Sequence, residues 1–111
     1  MEGSFLRFYV HEGRRHRGTL LWQWLLDQAH RIGIPGGSAF RAMAGFGRQH
    51  LMHADHFFEL GGSLTVEVEF LVSERESAQL LALVCGEGLE LFYARIPARF
   101  GVTEPAGPCL A

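Results

Sequence analysis

Residues 64–72 read LTVEVEFLV, and this stretch decides the fold class more clearly than any other part of the chain. Its apolar side chains occupy every second position: Leu64, Val66, Val68, Phe70 and Val72. Thr65, Glu67 and Glu69 lie between them, and side chains of a strand alternate between two faces. The pattern therefore predicts a β-strand that buries one face and presents charge on the other.

The residues that follow predict a helix and a further strand. Ser73 and Glu76 have the spacing of a capping box, so a helix is expected from residue 74 to Gly86. Its apolar stripe is predicted as Ala78, Leu81 and Cys85, with Leu80 and Val84 adjacent. The segment LELFYARI (89–96) then predicts the last strand, which Pro97 is expected to close.

The N-terminal half repeats this order. SFLRFYV (4–10) predicts a strand, HEGRRHRG (11–18) a charged turn, and TLLWQWLLDQAHRI (19–32) a helix. The helical stripe is predicted as Leu21, Leu25, Ala29 and Ile32. Trp22 is expected to pack on the sheet, and Trp24 to be partly exposed or to cover a subunit seam.

The sequence predicts the secondary structure of the middle of the chain less clearly. SAFRAMAGF (38–46) suits a helix by its alanines and methionine, but its short length and its glycines favour a strand. Residues 47–63 are expected to form a loop or short hairpin. The resulting βαββαβ order predicts an α+β, ferredoxin-like sandwich, in which two helices cover one face of an antiparallel sheet. Residues 1–97 form the predicted domain, and residues 98–111 form a tail.

The uncovered face of this sheet is expected to mix aromatic side chains with both signs of charge. Its predicted members are Phe5, Arg7, Tyr9, Arg41, Glu67 and Glu69. Such a face is either solvated or a subunit interface, and the interface is favoured because a small domain gains from burying apolar surface.

Composition excludes several classes of protein. The chain has 111 residues, which fits one domain, and its net charge of −2 argues against a nucleic-acid binder. All ten basic residues are arginines, so any phosphate site must use guanidinium groups and backbone N–H groups. Neither a signal peptide nor a membrane-length apolar run is recognisable, and two cysteines suggest no disulfide scaffold, so a cytoplasmic location is expected.

Several motifs resemble known families. GFGRQ (45–49) resembles the base of the T-loop of P-II signal-transduction proteins, and GEG (86–88) resembles their phosphate-cradling loop. The shorter-looped, P-II-like family called domain-of-unknown-function family 190 is the nearer resemblance, over about residues 5–97. It is carried by Gly18, Leu21 and Trp22, by GIPGGS (33–38), by Arg41 with GFG (45–47) and His53, and by GEGL (86–89).

The resemblance implies a trimeric regulator without catalytic activity. It implies that a small effector, plausibly an adenine nucleotide, binds between subunits and controls a partner protein, for which a membrane transporter is one candidate. No cofactor is required. The implied ligand-binding residues are Gly45, Phe46, Gly47, Arg48, Gln49, Gly86, Glu87 and Gly88. For such a ligand, Arg95 or Arg99 could supply positive charge, and Phe46 or Phe92 could pack against a purine.

Two other hypotheses remain open. His50, His53 and His56 recur every three residues and could bind zinc or copper, as in a divalent-metal tolerance protein, or could simply form a polar loop. The basic run RRHR (14–17) is either solvated or meets a phosphate. The chain could also be an interaction module with no ligand. Because no nucleophile motif or paired carboxylates stand out, it is not expected to be an enzyme.

Overall fold

The structure is a computed structural model that describes residues 1–46 and 64–106. Its elements are β1 (Glu2–His11), β2 (Arg15–His16), β3 (Thr19–Leu20), α1 (Leu21–Arg31), β4 (Ser38–Arg41), β5 (Thr65–Val72), α2 (Glu74–Gly86) and β6 (Phe92–Arg99). Residues 1–46 and 64–106 thus form an α+β structure with two helices and an antiparallel sheet, as the sequence predicted.

The main sheet has four strands in the order β4-β5-β1-β6, and each neighbouring pair is antiparallel. Phe8 is opposite Val68 on β5 and Tyr93 on β6, so β1 and β5 occupy the centre. The short strands β2 and β3 form a separate hairpin. The sheet's edges are therefore β4 and β6, which belong to opposite halves of the chain.

The core lies between the helices and one face of the sheet. Alternate residues of the central strands are buried, as their two-residue periodicity predicted: Leu6, Phe8, Val10, Val66, Val68, Phe70 and Val72. The helices contribute Leu21, Trp24, Leu25, Ala29, Leu80 and Val84. Phe8 and Phe70 meet edge to face with their ring centroids 6.4 Å apart, an orientation that aromatic pairs favour.

The prediction for the two tryptophans was wrong. Trp24 is only 7% exposed and belongs to the core, whereas Trp22 is half-buried at its margin. The two side chains lie on opposite sides of the stripe that begins at Leu21, so helical periodicity does not choose between them. The hairpin decides, because the His16 ring packs against Trp24 with centroids 4.7 Å apart.

The apolar stripe of α2 was also misplaced. The capping box is confirmed, since Oγ of Ser73 accepts from the Glu76 N–H and the Glu76 carboxylate accepts from the Ser73 N–H. However, the buried residues are Ser77, Leu80 and Val84, while Ala78 and Cys85 are exposed. The helix is rotated from the expected orientation, because the two large side chains Leu80 and Val84 fill the core better than alanine and cysteine do.

Two strand boundaries differ from the predicted ones. Strand β4 ends at Arg41, and residues 42–46 are not part of it. Strand β6 begins at Phe92 and runs through Pro97 to Arg99. Pro97 does not close the strand because β6 is an edge strand, where a residue without an N–H is tolerated. Pairing continues past β6, since the Phe100 N–H donates to Met1 O.

Arg41 does not lie on the uncovered face of the sheet. It is opposite Val66, a core-facing residue, so its side chain leaves β4 on the helix side and donates from Nε to Glu12 at 2.7 Å. Phe40, opposite Glu67, takes the predicted place on the uncovered face. The error arose because residues 38–46 lack the alternation that would fix their faces, and a shift of one residue exchanges the faces.

Candidate functional site

The face of the sheet opposite the helices carries a ring of apolar side chains, which we call the open face. Register places Leu71 and Ile96 on either side of Phe5, Phe92 beside Tyr9, and Phe40 at the β4 edge. Four of these large side chains are about half exposed in a single chain: Phe40, Leu71, Phe92 and Ile96. Exposed apolar side chains that share one face of a sheet form a candidate interaction surface.

A charged cluster lies at the centre of the open face. Nε of Arg7 lies 2.8 Å from Glu69 Oε2 and 3.7 Å from Glu67 Oε1. The same guanidinium donates to the hydroxyl of Tyr9 at 3.2 Å and lies over the ring of Phe5, 5.2 Å from its centroid. Since one guanidinium faces two carboxylates, a partner surface would meet an apolar ring around a cluster with a net negative charge.

The predicted ligand-binding residues that the structure describes fall in two groups at one end of the sheet. Register shows that β1 and β4 finish at this end and that β5 and β6 begin there. Gly45 and the exposed Phe46 follow β4, whereas Gly86–Gly88 precede β6. Since β4 and β6 are opposite edges, with β5 and β1 between them, the two groups flank the sheet of one chain from opposite sides.

Glu87 is the centre of a polar cluster in the second group. Its carboxylate lies 2.7 Å from Nε of Arg17 and 2.8 Å from Nε2 of His16, both on the β2–β3 hairpin. The hydrogen bond from Arg17, with a further one from His16, holds the pKa of the Glu87 carboxyl below its ordinary value. The negative charge of Glu87 is thus compensated by the basic turn.

A second carboxylate at this end is held in the same way. Glu12 follows β1 and accepts the 2.7 Å hydrogen bond from Arg41, which lowers the pKa of its carboxyl. Glu12 also donates its N–H to Leu64 O, immediately before β5. Glu12 therefore ties together the ends of β1, β4 and β5, next to the segment that carries Gly45.

Arg95, the remaining described member of the predicted site, lies elsewhere. It is opposite Leu6, near the middle of β1, and its side chain is on the helix face of β6. Its guanidinium lies 3.5 Å from Glu74 at the start of α2 and 3.5 Å from Oγ of Ser4. Arg95 is about 10 Å along the strand from the end where β6 begins. The structure therefore does not bring it together with Gly86–Gly88.

Several predicted residues lie outside the described residues. They are Gly47, Arg48 and Gln49 of the implied ligand site, and His50, His53 and His56 of the alternative metal site. Within residues 1–46 and 64–106, no group of three or more His, Cys, Asp or Glu side chains could hold a metal ion.

A cavity of about 220 Å³ opens beside the C-terminal end of α1. Leu26, Ala29, Ile34 and Phe70 form most of its wall, and His30 is its polar member. Gly37 also borders it, and a Cβ at this glycine would overlap the Phe70 ring. The sequence gave no signal for this cavity, because helix and loop residues meet there only through the tertiary fold.

Comparison with known proteins places the chain in a family. The family DUF190, described as "Uncharacterized ACR", matches residues 3–86. The chain belongs to DUF190. It is also similar to the UPF0166 protein of Aquifex aeolicus (strain VF5), at 30% identity over 84 residues, covering 76% of this chain and 80% of that protein.

The DUF190 match runs from β1 to the last residue of α2. It includes the basic turn and the Gly45–Phe46 corner, and its final residue is Gly86, the first glycine of GEG. The predicted resemblance to this family is therefore confirmed. Among the described residues, no helix is long and apolar enough to cross a membrane.

The sequence did not reveal the contact between Glu87 and the basic turn. Arg17 and Glu87 are 70 positions apart in the chain, and no sequence motif that contains one of them predicts a contact with the other. The available signal was weaker: α2 has no basic residue in its last turn, although a helix C-terminus favours a nearby cation. His16 and Arg17 supply that positive charge from another element.

Proposed function

We propose that this DUF190 protein is a P-II-like regulator, a trimer that binds an adenine nucleotide in clefts between its subunits and thereby controls a partner protein. One observation carries the proposal: Gly45–Phe46 and Gly86–Gly88 lie at the same end of the sheet but at opposite edges of it. A ligand that contacts both groups most simply takes each of them from a different chain.

Distance supports a site shared between subunits. Neighbouring strands lie about 4.8 Å apart, so the edge strands β4 and β6 of one chain are separated by about 14 Å. Two central strands that contribute to the core fill that space. In a ring of subunits, the β4 edge of one chain can approach the β6 edge of the next, which brings the two glycine segments around one ligand.

The open face supports assembly. The strand order β4-β5-β1-β6 supports the proposed ferredoxin-like split βαβ unit, an arrangement that leaves one sheet face uncovered. That face carries four half-exposed large apolar side chains around a cluster of Arg7 with Glu67 and Glu69. Burying it against copies of itself would remove this apolar area from water, and the second carboxylate of each cluster would need a counter-charge or solvent at the contact.

The two glycine segments differ in what they offer a nucleotide. Gly88 has φ of 73° in the turn that ends α2, where the N–H groups of Glu87, Gly88 and Leu89 already donate to carbonyl oxygens of that helix, so charge for a phosphate has to come from side chains. Phe46 is 86% exposed and could stack on a purine ring. Regulation is proposed in place of catalysis because Glu12 and Glu87, two carboxylates at this end, are engaged by arginines, which disfavours a role as general base.

Mixed assemblies test both the ligand and the shared site. Phe46→Ala damages the β4 side and Gly88→Val the β6 side, so each homogeneous variant should lose AMP, ADP or ATP binding in calorimetric titrations. Refolding the two variants together at equal concentration should restore about one quarter of the sites, since a site is intact only where the Gly88→Val chain supplies Phe46 and the Phe46→Ala chain supplies Gly88.

Gly33→Ala is the matched control. Gly33 also has a positive φ, 93°, but it follows α1, away from the proposed site. Wild-type binding in this variant would show that backbone strain alone does not abolish the site. No recovery in the mixture would reject a site shared between subunits, and no nucleotide binding by the wild-type protein would reject the function itself.

Calorimetric titration also tests the hypothesis that the protein binds a metal ion. Zinc or copper is titrated into the wild-type protein and into a variant with alanine at His50, His53 and His56. A selective metal affinity that disappears in the variant, together with no response to nucleotides, would favour the tolerance-type function over the regulatory one.

A further inference from the structure

The basic run GRRHRG (13–18) forms a tight hairpin with an unusual turn residue. Arg17 and Gly18 connect β2 to β3 with φ of 52° and 80°. Arg17 is the one non-glycine residue with positive φ among residues 1–46 and 64–106. Such a conformation costs a non-glycine residue about 1 kcal/mol or more, and such outliers cluster at ligand-binding sites. The side chain at this position therefore invites a functional explanation.

The hairpin is fixed to the loop that precedes β6. Arg17 contacts the Glu87 carboxylate through Nε at 2.7 Å and Nη2 at 3.5 Å, and His16 contacts the same carboxylate. On its other side, the His16 ring is packed against the buried Trp24. Arg14 reaches the same loop and donates from Nη1 to Glu90 O at 3.4 Å. The guanidinium groups are thus placed beside Gly88 by the tertiary structure.

The positive charge of the hairpin exceeds what the fold neutralises. Arg14 and Arg15 donate only to carbonyl oxygens, those of Glu90 and Gly18. None of the ion pairs among the described residues includes either of them. The partial negative charge at the C-terminus of α2 favours one or two positive charges nearby, and His16 and Arg17 already supply them. Within the part of the chain that the structure describes, no contact that stabilises the fold requires the positive charges of Arg14 and Arg15.

The contact of Arg17 with Glu87 has the form of anion recognition. A guanidinium that donates from two nitrogens to one carboxylate offers the same fork to phosphate oxygens. We propose that Arg14 and Arg17 bind a phosphate group beside Gly88, and that the Glu87 carboxylate holds Arg17 in place until the phosphate displaces it. The identity of the ligand, a nucleotide, rests on the function proposed above. The proposed phosphate site uses the arginines of the hairpin in place of Arg95.

Arg14→Gln is the decisive variant because Arg14 has no ion pair to lose and its removal should not disturb the fold. Affinities for AMP, adenosine and pyrophosphate are measured by calorimetry in wild type, Arg14→Gln and Arg17→Gln. Loss of one charge-assisted contact should weaken AMP and pyrophosphate binding about tenfold and leave adenosine binding unchanged. Raising the salt concentration should reduce the difference between AMP and adenosine.

Arg99→Gln is the matched control, since it removes the same charge from an arginine that pairs with Glu2 at the far end of β6. Equal AMP affinity in Arg14→Gln and Arg99→Gln would overturn the phosphate site while leaving nucleotide binding intact. Pyrophosphate binding that depends on Arg14, without any nucleotide binding, would keep the phosphate site and reject the proposed function. A wild-type protein that binds neither AMP nor pyrophosphate would overturn both.

Discussion

Nε of Arg7 lies 2.8 Å from Oε2 of Glu69, which is directly opposite it on the neighbouring strand of the same chain. Both side chains are on the open face, where the sequence predicted a mixture of arginine and glutamate. Glu67 shares the same guanidinium at 3.7 Å, so the cluster keeps a net negative charge. The apolar ring around this cluster is what the open face offers to a partner.

We predict that Ile96→Glu prevents self-association without unfolding the chain. Ile96 is 51% exposed on the open face, so the new charge is tolerated in an isolated chain but would be buried without a partner in an assembly. Light scattering should report a lower mass while circular dichroism remains unchanged. Val102→Glu is the control, since Val102 is 94% exposed and lies beyond β6. An unchanged mass for Ile96→Glu would show that the open face is not the contact.

We predict that Glu87→Gln removes a pH-dependent part of the stability. The folded state depresses the pKa of this carboxyl, so its contribution is present above its ordinary value of about 4.3 and is lost as pH falls through the folded value. The variant should be less stable than wild type at pH 7, and the two should converge only as pH falls below the depressed pKa of the folded state. Urea denaturation at a series of pH values measures the difference.

Glu2→Gln serves as the control for that series. Glu2 is largely exposed and lies 3.5 Å from Arg99, so a pair of this kind contributes little. If wild type and Glu87→Gln differed by the same amount at pH 3 and pH 7, the carboxylate charge would not be the cause of the stabilisation.

We predict that Gly3→Ala strongly destabilises the protein. A Cβ at Gly3 would overlap the backbone oxygen of Val72, and backbone atoms at the centre of a sheet cannot move aside cheaply. Overpacking of this kind costs about 1–3 kcal/mol or more. Thermal and urea denaturation should show the loss, whereas Gly36→Ala, where a Cβ meets nothing within 4 Å, should remain within about 0.5 kcal/mol of wild type. Equal stabilities would contradict the described packing of β1.

We predict that the two tryptophans differ in access to solvent. In Trp22→Phe the remaining Trp24 is buried beneath His16, so its fluorescence should resist acrylamide quenching. In Trp24→Phe the remaining Trp22 should be quenched more readily, and the protein should also be the less stable of the two, because a core side chain has been shortened. The reverse order would restore the orientation that the sequence suggested for α1.

Local sequence patterns were sufficient to predict the elements that are stabilised by contacts between residues close together in the sequence. The alternation in 64–72 predicted β5 to within one residue, and the spacing of Ser73 and Glu76 predicted the start of α2. The first helix was predicted from its stripe, although its bounds moved inward by one or two residues. In each case the responsible interactions span four residues or fewer, so the sequence contains them directly.

Of the candidate site, the sequence supplied the motifs but not their arrangement. It singled out Gly45–Phe46, Gly86–Gly88 and the basic turn as separate segments. Which of them meet depends on strand order and register, and this is why the sequence did not show that Arg17 and His16 contact Glu87. Arg95 was grouped with the glycines for the same reason, since its place in the last predicted strand does not give its face or its distance from the glycines.

By itself, the sequence determined the order of strands and helices, the buried face of the central strands and the family of the protein. Those properties follow from periodicity, capping and motif, each of which is local. Only the tertiary structure decided which tryptophan enters the core, which face Arg41 takes and which arginines meet Glu87. Those contacts join residues tens of positions apart, and their geometry is set by register and by the orientation of whole elements, in which a shift of one residue reverses every side chain.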